Sequence, residues 1–252
     1  MAKAKKVTKK KIKAKAVKPA QVSWRQRLKR WLWRLLFVIL IILLLPYLLV
    51  LLYRFEFIHP VSTLMLGELM SGRSYERQWV ELEDVAPVMV QSVIMSEDGQ
   101  YCAHSGVDWD ALSIIVEETL ENGSPSRGAS TISMQVSKNL FLTSWRSPIR
   151  KMLEIPLALF SDMFWGKPRM IELYLNSAEW GHGIYGVEAA AQSYFGRSAE
   201  KLTRKQAALL TVALPNPILR NPANPSKGLR RLASRIETRS KQSGAYIKCI
   251  YP

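Results

Sequence analysis

The chain has 252 residues, a formal net charge of +16 and an isoelectric point near 10.0. The first 55 positions hold 15 of the 36 Lys and Arg residues and no Asp or Glu, whereas the remainder is nearly neutral, with 21 basic and 20 acidic residues. A nucleic-acid-binding domain carries its basic excess on a folded face rather than in a low-complexity tail. The composition therefore excludes nucleic acid as the expected partner.

An uncharged run of 19 residues, LLFVILIILLLPYLLVLLY, occupies positions 35–53. A helix of this length covers the ~30 Å of a bilayer's hydrocarbon core, so we predict one transmembrane helix here. No small-residue cleavage site follows, since the next residues are RFEFIHP, and this favours an anchor over a cleaved signal peptide. The positive-inside rule then predicts a basic cytoplasmic arm at residues 1–34 and one extracytoplasmic domain at residues 54–252.

Helix-capping signals recur through that domain, and sustained alternation of apolar and polar residues is nearly absent. We therefore predict a mainly α fold, with at most a short hairpin between residues 57 and 82. The predicted helices are one capped by Asp84 and running through Met95, one from Asp108 to Gly123, one from Ser147 and Pro148 to Gly166, one beginning at Pro168 and including IELYLNSAEW, and one opened by a capping box of Thr203 and Gln206.

Two further features yield no assignment. Cys102 and Cys249 could pair in an oxidising compartment, but their spacing indicates neither a metal site nor a redox motif. The C-terminal stretch SRIETRSKQSGAYIKCIYP matches no motif, so no role is predicted for it.

The first candidate for chemistry follows the apolar segment VMVQSVIMS, where Glu97 and Asp98 precede His104. A carboxylate at the end of a buried helix either has its pKa raised or finds a partner, because burial of the charge is costly. Acids at helix ends also act simply as caps or partners of the helix dipole, and composition alone does not separate the two interpretations.

Two more clusters follow. In the first, small and hydroxyl residues at a helix start, with cations nearby, indicate an anion site, although an ordinary capped helix has the same pattern. Its members are Arg127, Ser130, Thr131, Gln135 and Lys138. The second cluster consists of Arg146, Arg150, Lys151 and Glu154. Arg150 and Glu154 are four residues apart, so the simplest interpretation is a surface ion pair worth about 0.5 kcal/mol or less.

Taken in order, the clusters resemble the peptidoglycan glycosyltransferase family, whose monofunctional biosynthetic members polymerise lipid II into glycan strands. The resemblance covers roughly residues 85–222, and it is carried by SEDGQYCAHSG, RGASTISMQVSKNLF, RKMLE and IELYLNSAEWGHGIYGVEAAAQSYFG. It implies a lysozyme-like helical lobe joined to a small membrane-proximal jaw lobe. Tyr101 stands where the family usually has Phe, and Met134 replaces the first of two Gln residues.

The same resemblance implies roles for individual residues. Glu97 matches the catalytic general base, and Glu154 matches a second essential carboxylate that orients cations or holds a divalent ion, Mg²⁺ or Mn²⁺. Lys138 and Arg146 match cations that hold the substrate pyrophosphate. The other expected substrate-binding residues are Asp98, His104, Arg127, Ser130, Thr131, Gln135, Arg150 and Lys151.

The resemblance implies transfer of a lipid-linked glycan strand onto the 4-OH of lipid II, with inversion and release of polyprenyl diphosphate. It also implies a location in the bacterial inner membrane with the catalytic domain in the periplasm, and other cell-wall synthesis and division proteins as candidate partners. Two alternatives remain: a lytic transglycosylase that cleaves peptidoglycan, and a catalytically silent membrane scaffold. A lytic enzyme needs no cationic pyrophosphate site, and a scaffold needs neither Glu97 nor Glu154.

Overall fold

The computed structural model describes residues 23–123, 128–143, 145 and 147–251. Within these residues the chain forms nine α-helices and three short strands, which confirms the predicted mainly α fold. The helices are α1 (Trp24–Tyr53), α2 (Thr63–Met70), α3 (Pro87–Glu97), α4 (Trp109–Asn122), α5 (Ile132–Phe141), α6 (Pro148–Ser177), α7 (Val187–Phe195), α8 (Arg204–Ala213) and α9 (Lys227–Lys241), and the strands are β1 (Glu76–Arg77), β2 (Glu179–Gly181) and β3 (Ile184–Tyr185).

Helix α1 contains the whole apolar run and is long and apolar enough to cross a membrane. The chain divides into two compact units, one ending at Leu43 and one beginning at Leu44. In the first unit, the large apolar side chains of the described residues are exposed to the surroundings, as expected of a helix that faces lipid. The basic arm predicted at residues 1–34 lies largely outside the described residues, which begin at position 23.

Within the second unit, hydrogen bonds tie the end of α1 to α6. The indole nitrogen of Trp165 donates to the carbonyl oxygen of Val50 at 2.7 Å. The Arg169 guanidinium donates to the carbonyl oxygens of Tyr53, Phe55 and Ile58 at 3.2, 3.1 and 2.7 Å. Because the last carbonyls of a helix have no partners within it, the bonds to Val50 and Tyr53 satisfy acceptors at the end of α1.

The main core lies around α3, which has six buried residues and packs against α8 and α9, while α5 packs along α6. Helix α3 is apolar around most of its circumference, as expected of a helix enclosed by others. The final residue of this buried helix is Glu97. Its carboxylate is therefore held by a rigid element.

The three strands form one small sheet in the order β1-β3-β2. Strand β1 pairs in parallel with β3, and β2 pairs antiparallel with β3. The prediction of a hairpin between residues 57 and 82 is therefore wrong: this region contributes α2 and one two-residue strand, and the hairpin lies at residues 179–185. The helix predicted to include IELYLNSAEW ends at Ser177, before β2.

Most of the predicted helix caps are confirmed. Asp108 accepts a hydrogen bond from the backbone N–H of Ala111, the Ser147 hydroxyl caps α6, and Thr203 forms its capping box with Gln206. The prediction for Asp84 is wrong, because this residue ends a 3-10 turn and α3 begins only at Pro87. Proline has a φ suited to the first turn of a helix and lacks the N–H that a cap would satisfy.

The loop between α3 and α4 is fixed by close packing and by a disulfide. Gly106 adopts a φ of 76°, and a Cβ there would stand 2.7 Å from the carbonyl oxygen of Ala158 in α6. A disulfide joins Cys102 in this loop to Cys249 near the C-terminus. The segment that follows Glu97 is thus held against α6 on one side and against the C-terminal segment on the other.

Candidate active site

A cavity of about 720 Å³ opens beside the end of α3. It is lined by residues from four parts of the chain: the α3 end and following loop, the start of α4, the segment leading into α5, and the C-terminal region. The lining residues are Met95, Ser96, Glu97, Asp98, Gly99, Gln100, Asp108, Ala111, Gly128, Ala129, Ser130, Thr131, Arg239, Gln242 and Tyr246. Of the predicted site residues, Glu97, Asp98, Ser130 and Thr131 line this cavity.

Glu97 has the surroundings of a general base. Burial raises the pKa of its carboxyl group, and the nearby charge of Asp98 raises it further, while hydrogen bonds from Gln135 and Ser96 and the charge of Lys138 oppose the rise. The Ser96 hydroxyl donates to Oε1 at 3.1 Å. A carboxylate with a raised pKa accepts a proton more readily, which favours a role in general-base catalysis.

A short hydrogen-bond chain supports the other oxygen of Glu97. The side-chain amide of Gln135 donates to Oε2 of Glu97 at 3.3 Å, and the phenol of Tyr174 donates to Oε1 of Gln135 at 3.3 Å. Burial raises the pKa of Tyr174 well above its ordinary value, so the phenol stays protonated. The structure thus places the amide of Gln135 on the Glu97 carboxylate, and binding of substrate by Gln135 stays a prediction.

Asp98 and His104 form a second, buried pair. His104 Nε2 lies 2.8 Å from Oδ1 of Asp98, and the backbone N–H of Ile132 donates to Oδ2 at 2.9 Å. Asp98 therefore joins the end of α3 to the first turn of α5, where a negative charge is favoured by the helix dipole. His104 is not among the residues that line the cavity.

The start of α5 places hydroxyl groups at the cavity. The Thr131 hydroxyl caps the helix by accepting from the Met134 N–H at 3.2 Å, and it donates to the carbonyl oxygen of Gly106 at 2.6 Å. Ser130 accepts a hydrogen bond from the Lys151 ammonium at 2.8 Å. The segment leading into α5 is thus held by contacts with the loop and with α6.

A cationic cluster surrounds Glu154 in the first turns of α6. The buried Glu154 carboxylate accepts from Arg150 on one oxygen and from Lys151, at 3.0 Å, on the other. Burial and the positive charges of Arg150 and Lys138 lower the pKa of Lys151 to about 8, in spite of its ion pair with Glu154. The charge of Lys138 lowers the pKa of both Glu97 and Lys151, so it acts on the carboxylate and on the cationic cluster alike.

Two predicted site residues, Arg127 and Arg146, lie outside the described residues. The two departures from the family pattern have structural explanations. Met134 is fully buried in an apolar cluster with Val107 and Ala158, where a Gln amide would lack partners. The Tyr101 hydroxyl donates to the carbonyl oxygen of Lys167 at 2.9 Å, so its additional oxygen is satisfied.

A divalent cation on Glu154 fits poorly with this geometry. Both carboxylate oxygens already accept hydrogen bonds from cations, and no group of three or more His, Cys, Asp or Glu residues is close enough to hold a metal within the described part of the chain. Magnesium is usually bound through one or two carboxylates together with water and substrate phosphates, so a carboxylate whose two oxygens are both occupied is a poor ligand for it. We therefore derive no step through a metal, and binding of Mg²⁺ or Mn²⁺ stays a prediction.

Sequence reasoning missed every lining residue of the C-terminal region: Arg239, Gln242 and Tyr246. They come from the end of α9 and the segment after it, for which no role was predicted. A signal was present, because Leu229, Ala233, Ile236 and Ser240 recur at helical spacing and are buried in the structure. This pattern indicates a helix packed on the domain, although it does not show which element it packs against.

Comparison with known proteins identifies the family of this chain. The sequence model of the transglycosylase family matches residues 63–241, and the chain belongs to this family. It is a peptidoglycan glycosyltransferase, the class of enzyme that polymerises glycan strands during cell-wall synthesis.

Individual relatives support this classification. The chain is similar to a biosynthetic peptidoglycan transglycosylase of Rhizobium meliloti (strain 1021), with 58% identity over 91% of this chain and 95% of that protein. A protein with the same description from Agrobacterium fabrum is 55% identical over 86% of this chain and 96% of its own length. Another from Brucella suis biovar 1 is 52% identical over 84% of this chain and 95% of its own length.

Proposed function

We propose that this enzyme transfers a lipid-linked glycan strand onto the 4-OH of lipid II, with Glu97 as the general base. A sugar hydroxyl is a weak nucleophile at neutral pH, so proton removal must accompany its attack. The oxygen attacks the anomeric carbon of the donor from the face opposite the pyrophosphate, which inverts the configuration there. The proton passes to Glu97, and the bond between the anomeric carbon and the pyrophosphate breaks.

The observation that carries this proposal is the Glu97 carboxylate, which has a raised pKa and lies on the wall of an open cavity. Gln135 and Ser96 hold its two oxygens. This support restricts rotation of the carboxylate, and restricted geometry favours proton transfer because less order must be created in the transition state. We assign Gln135 and Tyr174 to positioning the base.

The cationic cluster supplies the groups for the leaving pyrophosphate. Negative charge grows on the pyrophosphate as its bond to the sugar breaks, and charge-assisted hydrogen bonds from Lys138, Arg150 and Lys151 would stabilise it. Glu154 keeps Arg150 and Lys151 together. Without this carboxylate, two adjacent cations would repel each other in a partly buried site.

We further propose that the catalytic domain lies in the periplasm, anchored by α1 in the inner membrane. The basic residues before α1 favour a cytoplasmic N-terminus by the positive-inside rule. The disulfide between Cys102 and Cys249 gives independent support, because disulfides persist in oxidising compartments. Contact with other cell-wall synthesis and division proteins stays a prediction.

One assay separates polymerisation from both alternatives. Detergent-solubilised full-length protein is incubated with labelled lipid II, or with preformed strands, and the products are separated by length. We expect long strands from lipid II and no cleavage of preformed strands. Shortening of strands would indicate a lytic enzyme, and no reaction with either substrate would indicate a scaffold.

The same assay tests the role of Glu97. Glu97→Gln keeps the shape and the hydrogen-bonding capacity of the side chain but cannot accept the proton. We expect its rate to fall by about 10²–10⁴-fold, the usual contribution of general-base catalysis. Circular dichroism controls for folding, and a variant that is folded and polymerises at the wild-type rate would refute the assignment.

A further inference from the structure

We propose that the C-terminal segment, residues 239–251, is a substrate-binding wall of the cavity, in which Arg239 binds an anionic group of the acceptor lipid II. The inference rests on the proposed function. It concerns a part of the chain to which neither the motifs nor the mechanism above give a role. Three observations support it: the position of Arg239, the absence of a partner for its side chain among the described residues, and the way the segment is attached.

The guanidinium of Arg239 lies close to the loop that follows the general base, and both residues line the same cavity. Its Nη2 atom is 3.9 Å from the point where a Cβ on Gly99 would stand, and Gly99 is two residues beyond Glu97. Among the described residues that line the cavity, Arg239 is the only Lys or Arg, whereas Glu97, Asp98 and Asp108 are acidic. An anion that enters this cavity therefore meets at least the cationic side chain of Arg239 on its wall.

Within the part of the chain that the structure describes, Arg239 has no other electrostatic function. Among the described residues, its side chain has no carboxylate within ion-pair distance and donates no hydrogen bond. In contrast, Arg150 and Lys151 both bind Glu154. A surface cation without a protein partner is not informative by itself, but this one is exposed towards a cavity that contains the base.

We assign Arg239 to the acceptor because the enzyme binds two anionic substrates, and each needs its own cationic partner. Donor and acceptor each carry a pyrophosphate, and lipid II also carries the carboxylates of its peptide. The cluster on α6 suits the donor, whose pyrophosphate leaves during the reaction. Arg239 comes from α9 instead and lines the cavity that also contains Glu97, the base that the acceptor hydroxyl must approach. The acceptor is therefore the substrate whose anionic group Arg239 can reach.

The segment is firmly attached, as a binding wall must be. Ile247 and Ile250 are buried in the main core, and Cys249 is joined to Cys102, five residues after Glu97. At the start of the segment, Arg204 donates to the Ser240 hydroxyl at 3.1 Å and to Gln91 of α3 at 2.8 Å. The disulfide thus connects the wall covalently to the loop that follows the general base.

The test measures polymerisation by the full-length protein in detergent as a function of lipid II concentration. Arg239→Gln should raise the apparent KM about tenfold with kcat changed less than about twofold, since a charge-assisted hydrogen bond at a partly exposed site has about this effect. Arg239→Lys should restore most of the affinity. Arg230→Gln is the matched control. Arg230 lies nine residues before Arg239 in α9, which is about two and a half helical turns. It therefore stands on the other side of the buried face of this helix, which is formed by Leu229, Ala233, Ile236 and Ser240.

Several outcomes would overturn the inference. These are an unchanged KM for Arg239→Gln, an equal loss in Arg230→Gln, or a loss that Arg239→Lys does not restore. If the wild-type enzyme itself makes no strands, the proposed function fails. If it makes strands and Arg239→Gln matches it, only this inference fails. Repeating the comparison with lipid II whose peptide carboxylates are amidated identifies the anion: the penalty disappears for a carboxylate and persists for the pyrophosphate.

A second arm tests the attachment. The double variant Cys102→Ser/Cys249→Ser, assayed well below its melting temperature, should show a raised KM. Adding Arg239→Gln should then raise KM by less than tenfold, because Arg239 is no longer held in place. A wild-type KM in the double variant, or a full tenfold effect of Arg239→Gln in that background, would overturn the role of the disulfide.

Discussion

Replacing Gln135 by Met should change the pH dependence of catalysis without removing the base. The side chain of Met is of similar length to that of Gln but donates no hydrogen bond, so Oε2 of Glu97 loses its partner at 3.3 Å. The Gln135 bond favours the ionised form of Glu97 and lowers its pKa. Its loss should therefore raise that pKa, and the acidic limb of the rate profile should move to higher pH.

The magnitude follows from the kind of bond. A hydrogen bond to a charged group contributes about 1.5–3 kcal/mol, and the length of this bond argues for the lower end. About 1.4 kcal/mol corresponds to one pKa unit, so the limb should move by roughly one pH unit. Tyr174→Phe is the companion variant: it leaves the Gln135 donor in place but removes the hydroxyl that orients the amide, and it should cause a smaller change in the same direction.

The assay is the initial rate of strand synthesis at saturating lipid II between pH 4.5 and 8.5, with circular dichroism spectra at each pH. Gln135→Met should lose activity on the acidic side and approach the wild-type rate at the alkaline end of the acidic limb. A limb that stays in place, or that moves to lower pH, would refute the positioning role. A uniform loss of rate at every pH would instead indicate that Gln135 contacts the substrate.

Three further predictions concern single groups. Burial raises the pKa of Glu97 above its unfolded value, so ionised Glu97 destabilises the fold at neutral pH, and Glu97→Gln should unfold at a higher temperature at pH 7. Thermal scans should show this difference shrinking as the pH falls through the raised pKa of the folded state and vanishing below the unfolded value. The pKa of Lys151 is about 8, so the apparent KM for lipid II should rise as the pH passes this value, and Lys151→Arg, which stays charged, should remove the rise. Gly106→Ala should lower the melting temperature strongly, because the φ of 76° at this position is strained for alanine and the new Cβ would meet the Ala158 carbonyl oxygen at 2.7 Å. A variant as stable as the wild type would contradict the close packing of the loop against α6.

Local features of the fold were predictable because their causes are local. The cap at Asp108 and the capping box of Thr203 depend on residues within four positions of each other, so the sequence contains all the groups involved. The break at Gly166 is similar: its φ of 68° is accessible to glycine, and the predicted boundary falls there inside α6. The wrong prediction of a helix start at Asp84 also has a local cause. Asp84 and Pro87 are both typical of a helix start, and they lie only three residues apart.

Long-range pairings were not predictable from patterns. Strand β1 is only two residues long and pairs with a strand more than 100 positions later, so no periodicity marks it. The partner of Cys102 is 147 residues away. Within the candidate site, motifs indicated Glu97 and the cationic cluster, whereas the bond from Gln135 to Glu97 and the position of Arg239 depend on helices that meet only in the folded domain.

Burial shifts the pKa values of Glu97 and Lys151 in opposite directions. It raises the pKa of Glu97, which makes the carboxylate a stronger base, and it lowers the pKa of Lys151, which makes the ammonium easier to deprotonate. Activity should therefore require a pH above the pKa of Glu97, so that the base is ionised, and below the pKa of Lys151, so that the ammonium stays charged. A bound pyrophosphate favours the charged form of Lys151 and raises its pKa, so the alkaline limb should lie at higher pH for kcat than for kcat/KM. The difference between these two limbs would measure how much the bound pyrophosphate stabilises the charge of Lys151.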